Sequence, residues 1–185
     1  ILVFTLFIMM GFNSSYAQEV FYLHAIKISD SEVENFENIQ REYVTELAQD
    51  AKKNGIIKDW VLLKPIRNVG EATEQEYNYV WVHIFESVEQ MTSRTDWWRN
   101  SKEKFGIDPS VLYKVDLLKS GYYYWKTEKQ IEASRDGQYI IMNWATPKDL
   151  GKALTMADEL SEGFRKNMKK EGMAEWGVAS KILPQ

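Results

Sequence analysis

Sliding the segment Tyr22–Ile66 along the chain by 117 positions sets Tyr22 on Tyr139, Ser29 on Thr146, Gly55 on Gly172 and Lys64 on Lys181. The apolar series Phe36, Ile39, Tyr43, Leu47, Ala51 falls on Ala153, Met156, Leu160, Phe164, Met168. A repeat of this kind constrains the fold more than any other feature, because one supersecondary unit must then serve twice. Each copy reads as strand, helix, strand. In the first, Val20 to Ile28 is rich in β-branched and aromatic residues, the composition of a strand. Ser29-Asp30-Ser31-Glu32 has the Ser-x-x-Glu form of a capping box, and apolar residues at spacings of three and four carry a helix to about Asn54. Gly55 suits the left-handed residue that ends a helix, and a second strand runs from Ile57 to Ile66. In the other copy the expected cap is Thr146, Pro147 takes the first helical position, Gly172 ends the helix and Trp176 to Leu183 is the strand.

The first copy continues. Tyr77 to Glu86 reads as a strand, Ser87-Val88-Glu89-Gln90 caps a second helix, and Asp108-Pro109 opens further helical turns through Leu118. Gly121 stops them before a last strand, Tyr122 to Trp125. The expected fold class is therefore α+β: a ferredoxin-like βαββαβ unit over residues 18–130, followed over 131–185 by the first half, βαβ, of a second copy. By the same offset the second copy would continue some fifty residues past Gln185, so a chain truncated at its C-terminus is expected.

The N-terminus points to export. Residues 1–12 form an uncharged apolar run, and Ser15-Tyr16-Ala17 places small residues where a signal peptidase reads them. Residues 1–17 are thus expected to be a signal peptide cut before Gln18, with its true start missing because the first residue is Ile. The run is shorter than the ~20 apolar residues of a membrane span, so no span is expected once the signal is removed, and a periplasmic or secreted location follows. The chain has no Cys and hence no disulfide framework. A net charge of −4 argues against nucleic acid as the main partner.

Alternation along the strands selects the candidate site. On the third strand Val80, Val82 and Ile84 share one face and Tyr77, Tyr79, Trp81, His83 and Phe85 the other. On the first, Phe21, Leu23 and Ala25 oppose Tyr22, His24 and Ile26. With the first and third strands taken as parallel neighbours, and the aliphatic faces placed beneath the helices, both histidines join an aromatic face lining a barrel interior. Tyr22, His24, Tyr79, Trp81 and His83 are then candidate ligand-binding residues, with Asn143 contributed by the second copy. Aromatic walls and two imidazoles suit a small apolar or aromatic ligand, while the bland alternative is a packed interface with its histidines satisfied by neighbours. Two histidines without a third ligand argue against a metal site. No phosphate loop, nucleophile elbow, His-Glu-x-x-His or Cys nucleophile is present, which removes the familiar hydrolases and nucleotide enzymes.

A βαββαβ unit repeated in tandem, with Tyr, Trp and His on its strands, resembles the dimeric α+β barrel superfamily, which includes antibiotic-biosynthesis monooxygenases, NIPSNAP-like proteins and stress-responsive barrel proteins. The resemblance implies two sheets closed face to face, from two chains or from tandem halves, and hence a homo-oligomer through the sheet face. It leaves two functions open. One is an exported protein that binds a small ligand or only packs; the other is a cofactor-independent monooxygenase or haem-handling enzyme, with a haem the one cofactor the resemblance brings in.

Overall fold

The computed structural model describes residues 18–66, 76–93, 96–132 and 137–182. Strand β1 (Val20–Ile28) leads through a 3-10 turn into a long helix made of α1 (Val33–Ile39), a π-helical turn (Gln40–Val44) and α2 (Thr45–Lys53). Strands β2 (Asp59–Leu63) and β3 (Tyr79–Phe85) follow, then the short helices α3 (Val88–Ser93) and α4 (Ser101–Phe105). Strand β4 (Leu117–Glu132) is 16 residues long, and α5 (Leu150–Glu171) and β5 (Glu175–Lys181) complete the described chain. The strands form one sheet in the order β2-β3-β1-β4-β5, and every adjacent pair is antiparallel. The order of the first four strands and their helical connections are those of a ferredoxin-like α+β fold.

That topology corrects the expected pairing of β1 with β3, which is antiparallel and not parallel. The chain leaves β1, returns along the helix and enters β2 in the direction of β1. The reversal into β3 then opposes both, so the strand inserted between β1 and β2 must run antiparallel to each.

The faces are also exchanged relative to the expectation. Tyr22 and Phe85 belong to a buried cluster with Ile39, Leu47, Ala48 and Ala51 of the long helix. Ile26, Tyr79 and Trp81 cluster with Phe36 of α1, whose ring lies 4.6 Å from Tyr79 and 5.6 Å from Trp81. The aromatic and histidine face therefore lies beneath the helices and lines no barrel interior. The reason is chemical. Tyr79 Oη, Trp81 Nε1 and His83 Nδ1 need partners when buried, and the helical layer supplies Glu37, Gln40 and Trp97. The aliphatic face is the other one. Leu23, Ala25 and Val82 are buried but belong to neither cluster, and Phe21, Val61, Val80 and Ile84 are half-buried around them.

Local signals were kept unevenly. The Ser87 box forms: Ser87 Oγ accepts from the Gln90 amide at 3.2 Å, and Gln90 Oε1 accepts from the Glu86 amide at 2.7 Å. The Ser29 box does not, since Ser29 makes no side-chain cap and its hydroxyl meets Ser31 instead. Helix α5 starts three residues later than Thr146 and Pro147 suggested, because Asp149 caps it by accepting from the Lys152 amide at 3.0 Å. Gly55 and Gly172 both take positive φ, 65° and 75°. Residues 137–149, where a strand was expected at Tyr139, form none and are exposed throughout. The sheet position beside β4 is taken by β5, which pairs from Trp125 to Glu132 across a register shift near Thr127. The expected boundary at 130/131 thus falls within β4. Helix α5 covers this extension, with Phe164 stacked on Trp176 at 5.1 Å and Asp158 paired with Lys129. Among the described residues no helix is long and apolar enough to cross a membrane. The expected signal peptide, residues 1–17, lies outside the described residues.

Candidate functional site

Antiparallel register places Tyr22 opposite His83 on β3 and Tyr124 on β4, and His24 opposite Trp81 and Tyr122. The two histidines are consequently diagonal neighbours on one face. Tyr22 stacks on His83 with centroids 4.3 Å apart, and Tyr122 stacks on His24 at 4.0 Å, with Trp81 tilted at 4.9 Å on its other flank. His24 Nε2 lies 2.9 Å from Ser120 Oγ. His83 Nδ1 accepts from Trp97 Nε1 at 3.3 Å, which fixes the neutral tautomer with its proton on Nε2. Burial lowers the pKa of His24 to about 4. Burial, and secondarily the charge His24 would carry, lowers that of His83 to about 3. Both imidazoles are neutral at physiological pH, and both are poor bases there.

Five of the six candidate residues, Tyr22, His24, Tyr79, Trp81 and His83, thus come together in one buried layer. Asn143 does not join them. It stands in the exposed stretch 137–149, away from the buried layer. The adjacent tryptophans divide the work: Trp97 is buried against His83, while Trp98 is half-buried and meets it edge-on. A haem does not fit this layer. Each imidazole is flanked face to face by a tyrosine ring, and neither the cleft beside β2 nor the one along α5 is lined by a histidine. Among the described residues no three His, Asp or Glu side chains are grouped to hold a metal ion.

A different site opens at the sheet edge. Strand β2 is an outermost strand, and between it and the π-helical turn lies a cleft of about 450 Å³. Glu37 and Gln40 descend into it from the helix, Trp60, Leu62 and Lys64 from the β2 side, and Tyr79 from β3. Glu37 Oε1 accepts from Tyr79 Oη at 2.6 Å and from Lys64 Nζ at 2.7 Å. The Lys64 bond, then the Tyr79 bond, holds the Glu37 carboxyl below its ordinary pKa, and Glu37 raises the Lys64 ammonium in return. Gln40 is 3% exposed. Its Oε1 accepts from Trp81 Nε1 at 2.8 Å, while Nε2 is buried with no partner among the described residues. The π turn is closed by Thr45, whose hydroxyl and amide both donate to the Gln40 carbonyl. Sequence reasoning missed Glu37 and Gln40. Their spacing of three, on the helix face that carries Phe36, was the available signal.

No family model matches the sequence, and no curated protein matches it either. Among solved structures, a dimeric protein of unknown function and ferredoxin-like fold from Bacteroides fragilis NCTC 9343 is similar at 12% identity and a TM-score of 0.40, over 58% of this chain and 95% of that one. A dimeric ferredoxin-like protein of unknown function from Thermobifida fusca YX is similar at 10% identity and a TM-score of 0.38, over 58% of this chain and 90% of that one. The fold assignment rests on the strand order and connections of this chain itself.

Proposed function

We propose that this is an exported, non-catalytic α+β protein that assembles through its open sheet face, closing it against the same face of a second copy as in the barrels it resembles. The observation that carries this is the row of half-buried apolar residues Phe21, Val61, Val80 and Ile84 on the aliphatic face, which belong to neither buried cluster of the described residues. The size of the face decides what else must take part. Four strands spaced about 4.8 Å apart, with about seven residues each rising about 3.3 Å, give a flat footprint of roughly 400 Å². A stable interface takes about 800 Å² per partner. The exposed apolar residues Tyr139, Ile141 and Trp144 supply the remainder. Trp144 already lies 5.1 Å from Trp125, a β4 residue opposite Phe21 of the aliphatic face, so the stretch borders that face.

A non-catalytic role is supported by the histidines, each of which has one ring nitrogen engaged, by Ser120 or by Trp97, and its ring stacked within the core. Export is supported by the apolar run and the Ser15-Tyr16-Ala17 pattern. It predicts that exported material begins at Gln18, and N-terminal sequencing that found residues 1–12 still attached would refute it.

Sedimentation velocity tests the assembly. The parent protein is expected to associate at about 0.1 mM, well above the Kd of a micromolar interface. The half-buried positions allow Val80→Lys and Ile84→Lys without opening either core cluster, and both are expected to sediment as monomers with unchanged far-UV dichroism. A monomeric parent, or variants that associate as it does, overturns the proposal.

A further inference from the structure

We propose that the cleft between β2 and the π-helical turn binds a small aromatic or branched apolar molecule carrying one carboxylate. The argument is independent of assembly and starts from a donor without an acceptor. Trp81 Nε1 can only donate and an amide nitrogen cannot accept, so its bond to Gln40 fixes which end of the amide is which. The other end, Nε2, is left buried with no acceptor among the described residues. A buried amide group in that state destabilises the free protein, and an oxygen brought into the cleft relieves it. Gln40 is one of the residues that line the cleft, so an oxygen bound there meets the side chain that carries Nε2.

Charge sets the rest of the ligand. The Glu37 carboxylate already receives Lys64 and Tyr79. Lys64 is 63% exposed and keeps further N–H donors free for a second oxygen. Arg41 lines the same cleft, and its one hydrogen bond given by the structure goes to the neutral Asn38, at 2.9 Å. Two cations face one carboxylate, which leaves room for one negative charge. A planar carboxylate matches both the guanidinium fork and a single amide donor, whereas a phosphate dianion would be left half neutralised. Trp60 and Leu62 wall the remainder with apolar surface, and a volume of about 450 Å³ lies within the range of small-molecule sites. The π turn is what builds the site. Gln40, its first residue, is buried and Arg41 beside it is exposed at the mouth, and such turns recur where helices carry function.

The experiment is a calorimetric titration of the parent with phenylacetate and indole-3-acetate, beside phenylacetamide and inorganic phosphate. The side-chain amide resonances of Gln40 are followed by NMR in the same series. Expected are saturable binding of the carboxylates with a Kd below about 1 mM, a shift of the Gln40 amide protons, and much weaker binding of phenylacetamide and phosphate. Arg41→Glu, on an exposed helix position, is expected to weaken the carboxylates at least tenfold. Gln40→Glu, which keeps the acceptor for Trp81 but replaces the donor by a like charge, is expected to weaken them further. Should that variant fail to fold, the Gln40 amide shift in the parent decides the same point. No saturation by either carboxylate, equal binding of phenylacetamide, a silent Gln40 amide, or unchanged affinity in Arg41→Glu each overturns the proposal. Sedimentation in the presence of ligand separates this outcome from any failure of assembly.

Discussion

Replacing His83 by Phe should destabilise the protein at neutral pH and stabilise it in mild acid. His83 is 5% exposed, stacked on Tyr22 and hydrogen-bonded by Trp97. A phenyl ring keeps the stack but strands the Trp97 N–H, a loss of about 1–3 kcal/mol. The bond is long at 3.3 Å, so the lower part of that range, about 1–2 kcal/mol, is expected at pH 7.5. For a chain of this length that lowers Tm by about 2–8 °C. Acid reverses the comparison. The pKa of His83 is lowered to about 3 in the folded protein, against about 6.5 in the unfolded chain. Below pH 6.5 the unfolded state binds a proton that the folded state does not. Its share of stability, complete above pH 6.5, therefore drains by about 1.4 kcal/mol per pH unit as the pH falls toward 3. By pH 4.5 the parent has lost about 2.7 kcal/mol that the variant cannot lose. The two stabilities should cross between about pH 5 and 6. Urea denaturation at pH 7.5, 6.0, 5.0 and 4.5 reads both effects, and adding Trp97→Phe to His83→Phe should recover most of the neutral-pH loss by removing the stranded donor. A gap that stays constant across the series refutes a buried neutral imidazole. No loss at pH 7.5 refutes the Trp97 bond.

Other positions give simpler outcomes. Phe36→Ala empties the space between Tyr79 and Trp81 from a fully buried position and should cost about 3–5 kcal/mol, read as a fall in the urea midpoint at unchanged slope. Gly172→Ala forces a side chain into φ of 75° at the end of α5 and should cost about 1 kcal/mol, seen as a lower Tm. Asn143→Ala, in an exposed stretch, should change stability by less than about 0.5 kcal/mol in the same melts.

The elements of the first unit were legible because local chemistry and tertiary packing agree there. Alternation marked β1 and β3, the spacing of Phe36, Ile39, Leu47 and Ala51 marked the helix, and Gly55 marked its end. Strand β4 was less legible. Only Tyr122 to Trp125 carries an aromatic strand signal, yet the strand extends seven residues further, to Glu132, through Lys126, Glu128, Lys129 and Gln130. Those residues are held by pairing with β5, a long-range cause that a local window does not contain. The stretch from Tyr139 to Trp144 shows the converse. Its residues have strand character, but no neighbouring strand pairs with them, and a strand without a partner leaves its amides to water.

The exchanged faces are the most instructive departure, because the information needed to avoid it was present. Both faces of β1 and β3 are apolar, so alternation separates two sets of residues without saying which set meets the helices. Polar atoms break the tie. The aliphatic set, Phe21, Leu23, Val80, Val82 and Ile84, asks for nothing but apolar cover and can wait for a second sheet. The aromatic set carries tyrosine hydroxyls, an indole N–H and two imidazoles, which a bare sheet-to-sheet interface would leave unpaired at about 1–3 kcal/mol each. Helix positions Glu37 and Gln40 offer oxygens at the heights of Tyr79 and Trp81. Trp97, from the short 3-10 turn before α4, offers its N–H to His83. Satisfaction of those groups places the aromatic face inward. It also leaves one amide end of Gln40 over. Trp125 Nε1 is the other buried side-chain donor without a partner among the described residues, and what sets Gln40 apart is that it lines a cleft an oxygen can enter.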